Sequence, residues 1–255
     1  GSLTVEQALM NSCNPYMIHL ALEMGNSRFA YYQSLFGFGK ITGIDLPGET
    51  TGIVYGDRMT TIDAACNSFV QTINVNMMQM MAAYCSIING GMLYQPHIVK
   101  RIESANGEVV KEYKANLVRQ TITASTSKLL RRYLKNTVEE GTAKKAGVTG
   151  YSVAGKTGTA QKGDRKDNKW IISFIGHAPA ENPKFAIYVV IDEPYGTTGT
   201  SGSSADVLTL THNILEKLLP YMNVYKDASD EYEDTSSSPD ELTVDGIPAG
   251  TASSN

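Results

Sequence analysis

A lysine set between two glycines and followed by two threonines is the part of this sequence whose residue types could do chemistry. Gly155-Lys156-Thr157-Gly158-Thr159 lies in a run, Tyr151–Gln161, that reads as a β-strand. Glycine weakens a strand interior and often marks a place where a ligand or another backbone comes close. Alternation sends Lys156 and Gly158 to one face, Thr157 and Thr159 to the other. At a sheet edge both backbone N–H groups and hydroxyls can meet a ligand, and a cation beside hydroxyl donors suits a carboxylate. Read alone, the same residues also describe an edge strand that tolerates glycine. A second group, Ser12-x-Asn14, read alone is a cap ahead of a helix that begins with Pro15. Ser125-x-x-Lys128 puts a hydroxyl and an amine one helical turn apart. Serine and threonine there open a helix, however, so they are expected as its cap.

The elements that must position these groups follow from periodicity. Residues 3–11 read as a short helix. Asn14 is the expected N-cap of a second helix running to about Met24, with Gly25 as its stop. Phe36–Gly39 and Asp45–Glu49 are turn-rich. A helix is expected near Ile62–Phe69, and another from Met77 to Ile88 behind Asn76, closed by Asn89-Gly90-Gly91. Residues 92–120 read as short strands and turns with Asn106-Gly107 as a hairpin signal. Thr123 or Ser125 starts a helix that ends at Gly141. Tyr151–Gln161, Trp170–Gly176 and Phe185–Asp192 read as strands, the last a continuous apolar run of the kind buried on both faces. Their short linkers imply antiparallel neighbours. Gly196–Ser204 is rich in Gly, Ser and Thr. Ala205–Leu219 is a closing helix that Pro220 ends. The fold class is α+β: a helical lobe and an antiparallel sheet with flanking helices, the cleft between them.

Composition narrows the partners. Of 255 residues 42% are hydrophobic and 19% charged, and the net charge is −4, so a nucleic-acid partner, which needs a basic stripe, is not expected. Much of the acidity falls after Lys226, in a Ser-rich stretch too poor in apolar residues to offset its ordering entropy. The expected division is a domain over 1–222 and a disordered tail over 223–255. Cys13, Cys66 and Cys85 include no CxxC pair, and His19, His97, His177 and His212 are scattered. Neither a disulfide framework nor a metal site is expected, and no cofactor. The methionines at 77, 78, 80 and 81 read as core packing, not a copper site. The most apolar stretch is far short of the ~20 residues of a membrane span. The chain opens directly into a helical pattern and reads as a piece of something longer, with an anchor possible upstream.

Taken in order, Ser12-Cys13-Asn14 and Lys156-Thr157-Gly158-Thr159 resemble the SxN and KTG motifs of the transpeptidase domain of class B penicillin-binding proteins. Phe36–Gly39, Gly43–Glu49, Asn89–Gly91, Glu140-Gly141-Thr142-Ala143, Ser173–Gly176 and Asp192-Glu193-Pro194 resemble family sequence too, so the likeness covers residues 1 to about 222. It implies a penicillin-recognising, β-lactamase-like fold and serine acyl transfer on D-Ala-D-Ala stem peptides, with β-lactams as mimics. It implies that Ser12 relays a proton toward the leaving amine and that Asn14 holds the substrate backbone. Lys156 bonds Ser12 and sets a positive field. Thr157 and Thr159 bind the terminal carboxylate on the strand that includes Gly158, and the Thr159 N–H serves the oxyanion hole. The family's SxxK serine precedes SxN; Ser125 follows it and is not taken as the nucleophile, so this chain alone is expected to be inactive. Val70 and Thr72 stand where the family usually has glycine, and Asn76-Met77 where Thr-Pro is usual, so the loop between them is expected to differ in backbone. The alternatives are a DD-carboxypeptidase or β-lactamase-like hydrolase, and a non-catalytic sensor or scaffold. The implied place of work is the outer face of the bacterial cell membrane, in a membrane-anchored parent, with other cell-wall synthesis proteins as further partners.

Overall fold

A computed structural model describes residues 2–69, 71–163, 169–194 and 203–228. Three helices follow one another at the start: α1 (Val5–Met10), α2 (Asn14–Met24) and α3 (Asn26–Leu35). Thr4 and Gln7 close a capping box on α1. On α2 the N-cap is Cys13, not Asn14, which already lies inside the helix ahead of Pro15. The expectation placed the cap one residue late because proline is accepted at either of the first two helical positions. The sequence pattern announces no helix over 26–35. Phe29, Ala30, Tyr31 and Tyr32 run consecutively there, so no apolar stripe announces α3, which buries only Ala30 and Gln33.

The helix α4 (Thr61–Asn67) is capped by Thr60 and Asp63, and α5 (Met77–Ile88) by Asn76 and Gln79. The buried face of α5 is Gln79, Ala83, Tyr84, Ser86 and Ile88; the four methionines are half-buried or exposed, so they do not form the core stripe expected of them. Gln79 instead donates to the carbonyls of Lys40 and Thr51 at 2.6 and 2.9 Å, pinning the loop beside it. At Thr72 the backbone keeps the left-handed conformation natural to glycine (φ 62°), with the Thr72 hydroxyl held by Asn67 at 3.0 Å. Threonine in that conformation strains the backbone, and Val70 lies outside the described residues.

Strand β1 (Met92–Tyr94) pairs with β4 (Leu117–Gln120), and β2 (Arg101–Glu103) with β3 (Val109–Glu112) across the Asn106-Gly107 turn. The helix α6 (Ala124–Glu139) starts behind Thr123, whose hydroxyl accepts the Thr126 N–H at 3.1 Å and lies 2.8 Å from the Ser125 hydroxyl. Ser125 thus belongs to a cap.

The main sheet is antiparallel in the order β5 (Ala154–Lys162), β6 (Lys169–Ala178), β7 (Phe185–Asp192). One face carries Ile172, Phe174, Ile187, Val189 and Ile191 against α7 (Ala205–Tyr221), through Val207, Leu208, Leu215 and Leu219. The other carries Ala154, Ile175 and Ala186 against Tyr84 and Ile88 of α5 and Leu134 of α6. The strand buried most completely is β6, in the middle; β7 is half-buried along its length, because among the described residues it borders the sheet. Its continuous apolar run therefore does not mark burial on both faces.

Pro220 does not end α7. It sits in the last turn, and Asn223, with φ 52°, reverses the chain. Packing continues past residue 222: Val224 is buried in the core, and Asp227 accepts hydrogen bonds from the N–H of Ser152 at 2.7 Å and from its hydroxyl. One buried valine between Asn223 and Tyr225 gives no periodic signal. The remaining acidic stretch, 229–255, and residues 196–202 of the Gly/Ser/Thr-rich segment lie outside the described residues.

Candidate active site

Residues 12 and 156 meet because α1 is short and its end is turned sharply. The Ser12 N–H donates to Leu9 at 3.2 Å and the Cys13 N–H to Ala8 at 2.9 Å, the paired bonds of a Schellman turn with Ser12 at its reversal point. Ser12 has φ 49°, a left-handed conformation that costs a residue with a Cβ roughly 1–2 kcal/mol. Its hydroxyl accepts a hydrogen bond from Lys156 Nζ.

Lys156 is the hub. Besides Ser12, its ammonium donates to the Thr157 carbonyl at 3.1 Å and the Thr157 hydroxyl at 3.3 Å, which matches three hydrogens to three acceptors. Burial pulls its pKa from 10.5 to about 8, since desolvation disfavours the charged form. The cation is thus held in place by oxygens, with no carboxylate hydrogen-bonded to it among the described residues.

The strand leaves an edge for a ligand. In an antiparallel pair a residue's N–H and C=O point the same way, alternating inward and outward. The Gly155 carbonyl takes the Thr137 hydroxyl of α6, and the Thr157 carbonyl takes Lys156, so both point away from β6. Alternation puts the N–H of Thr159 on that same outer edge, and Thr159 is exposed. The glycines have other reasons. A Cβ on Gly155 would stand 2.3 Å from the Phe174 ring and 2.6 Å from the Ile175 carbonyl, so its bareness serves the core. A Cβ on Gly158 would stand 2.6 Å from the Ser173 hydroxyl. The close neighbours in this structure are the protein's own atoms.

Of the residues singled out in the sequence, Ser12, Lys156 and Thr157 are joined by hydrogen bonds. Asn14 is exposed on the first turn of α2, two residues beyond Ser12, and bonds to none of them. Ser125 and Lys128 make no bond to the group. His177 is a core residue: it is fully buried, its Nδ1 lies 2.8 Å from the Tyr84 hydroxyl and its Nε2 3.1 Å from the Ala180 carbonyl. Burial lowers its pKa to about 4, which keeps it neutral.

Thr142 was overlooked as a member of the site. Its hydroxyl lies 3.3 Å from that of Thr157, and its N–H donates to the Met10 carbonyl at 3.2 Å, at the exposed end of α1. A Cβ on Gly141 would stand 2.8 Å from the same carbonyl. The glycine before Thr142 is the signal in the sequence: it lets the end of α6 close on the end of α1.

The chain matches the family model described as the penicillin binding protein transpeptidase domain over residues 1–216. It is 40% identical over 229 residues to stage V sporulation protein D of Bacillus subtilis, covering 88% of this chain and 35% of that protein. With peptidoglycan D,D-transpeptidase FtsI of Escherichia coli the identity is 33% over 234 residues, 89% of this chain and 37% of that one. The crystal structure of penicillin binding protein 3 from Mycobacterium tuberculosis, complexed with ampicillin, superposes with a TM-score of 0.80 at 30% identity, covering 89% of this chain and 52% of that one. The chain thus spans just over a third of the length of these curated relatives. With its ordered motifs on one sheet edge and its helical turn, it belongs to the penicillin-binding-protein transpeptidase family.

Proposed function

We propose that the parent of this chain is a peptidoglycan DD-transpeptidase and that this chain supplies the carboxylate-binding and proton-relay half of its acyl-transfer site. The observation that carries the reading is the bond from Lys156 Nζ to the Ser12 hydroxyl at an open sheet edge. A serine of the parent attacks the carbonyl of the penultimate D-Ala. The C–N bond to the terminal D-Ala breaks, and Ser12 passes a proton to the departing amine. An acceptor amine from a neighbouring stem peptide then displaces the serine. Lys156 holds the Ser12 oxygen and places positive charge where the substrate's carboxylate arrives. Thr157 and Thr159 donate to that carboxylate, Asn14 to the substrate backbone, and the Thr159 N–H to the oxyanion. β-Lactams enter the same site. Such chemistry takes place on the outer face of the cell membrane, where the substrate is.

The cap bond of Ser125 to Thr123 argues against it as the nucleophile, and on this reading the acylated serine belongs to a part of the parent outside this chain. Fluorescent penicillin should leave this chain unlabelled and label the parent. Stoichiometric adduct on this chain, mapped by mass spectrometry to Ser125 or another of its serines, would overturn that assignment. The pH dependence gives a second check. Lys156 is charged below about 8. In the parent, apparent affinity for a carboxylate-bearing penicillin is therefore steady toward pH 7 and weakens as pH rises through about 8. A profile flat to pH 10 contradicts the role given to Lys156.

A further inference from the structure

We propose that the Thr142 hydroxyl is a donor of the carboxylate subsite, alongside Thr157. This rests on the reading of the site just given and extends it to a residue outside the two motifs. Three observations meet at Thr142. Its hydroxyl is exposed and lies 3.3 Å from that of Thr157. The Lys156 ammonium already has three acceptors, Ser12 Oγ, Thr157 O and Thr157 Oγ1, so it has no hydrogen left to give a ligand without breaking a bond. The backbone of Thr142 is fixed on both sides. Its own N–H is bound to Met10 O at 3.2 Å, the Ala143 N–H to Thr137 O at 3.0 Å and the Gly141 N–H to Asn136 O at 3.1 Å.

The direct contacts to an anion must then come from hydroxyls. Thr157 Oγ1 accepts from the ammonium, which polarises its O–H and strengthens it as a donor. Between Thr142 and Thr157 there are two hydroxyl protons and one mutual bond, so one proton points outward whichever residue is the donor. An arriving carboxylate has two oxygens and is a better acceptor than a neutral hydroxyl. It breaks the mutual bond and accepts a hydrogen bond from each threonine. Thr142 also touches the end of α1 through Met10, so the same residue holds the Ser12 turn and reads the ligand.

The test is the rate of acylation of the parent protein by a fluorescent penicillin and by its carboxyl methyl ester, for wild type, Thr142→Val and Thr142→Ser. A hydrogen bond to a charged group is worth about tenfold or somewhat more in affinity. Thr142→Val should therefore weaken acylation by the free acid about tenfold, through the binding step and not the chemical one. The ester, which has no anion to hold, should react equally slowly with wild type and Thr142→Val. Thr142→Ser should recover most of the loss, and Tm should be unmoved in both variants. Equal rates for wild type and Thr142→Val with the free acid overturn the proposal. So does an equal proportional loss with acid and ester, which is the mark of a merely structural residue. If wild-type parent is not acylated by any penicillin, the transpeptidase reading falls first and takes this one with it.

Discussion

The helices α1 and α7 end in the same turn for different reasons. At α7 the Asn223 N–H donates to Pro220 and the Val224 N–H to Leu219, both at 3.0 Å; at α1 Ser12 and Cys13 repeat the pattern on Leu9 and Ala8. The reversal residues have nearly equal φ, 52° and 49°. Asparagine visits that region readily, because its short polar side chain can bond locally. Serine does so less often, and Ser12 spends its hydroxyl on Lys156 across the chain, not on its own backbone. Beyond Asn223 the chain runs to an anchor, Val224 in the core and Asp227 on Ser152. Beyond Ser12 it runs to the exposed Asn14 at the start of α2. One end is built for stability. The other gives up stability to keep an oxygen where a cation needs it, which is how strain at functional sites is usually distributed.

Glycine at position 12 sharpens that contrast most. Ser12→Gly relieves the left-handed strain that Ser12→Ala keeps, and since both lose the Lys156 bond it should be roughly 1 kcal/mol more stable than Ser12→Ala in urea unfolding. It also removes the proton relay, so acylation of the parent by a penicillin should fall by about 10²–10⁴. Ser12→Ala should lose as much activity. Were Ser12→Gly to react at the wild-type rate, the turn at α1 would be as structural as the one at α7.

The α7 end is tested by its anchor. Chains ending at Ala228 and at Met222 should differ in stability, the shorter one being weaker by about 3 kcal/mol. Burial of one valine contributes roughly 1.5–2 kcal/mol, and hydrogen bonds from Ser152 to a charged carboxylate, discounted because Asp227 is exposed, add about 1. Equal urea midpoints would mean that residues 223–228 contribute no anchoring.

How far the sequence revealed these two ends differs in the same way. Ser12 and Lys156 are legible because chemistry restricts residue type: serine two before asparagine, and lysine ahead of threonine and glycine, occur in order. Their meeting is a tertiary fact, fixed by where α1 ends and by Gly141 closing on Met10. Thr142 was visible as part of a family-like stretch but carried no role until its hydroxyl was seen beside Thr157. Capped helices such as α5 and α6 announce themselves through Asn76 and Thr123. The helix α3 does not, having no stripe, and the strap at 223–228 does not, because six residues with one buried valine resemble the acidic run that follows them. Pro220 gave the wrong stop: it sits in the last turn, and helical bonding resumes beyond it, the Met222 N–H donating to Leu218 at 2.8 Å.

The mildest change closes the comparison. Asn223→Gly places glycine at the same conformation as Ser12→Gly, but asparagine there bears little strain and its side chain serves no partner in the site. Unfolding should shift by a few tenths of a kcal/mol at most, since glycine's freedom in the unfolded chain offsets its ease in the turn. Acylation of the parent should be unchanged. Measured together, the two glycine substitutions separate backbone from side chain: equal effects on stability would show that the α1 turn is no more strained than the α7 turn. A loss of activity confined to position 12 would show that its serine is kept for the oxygen alone.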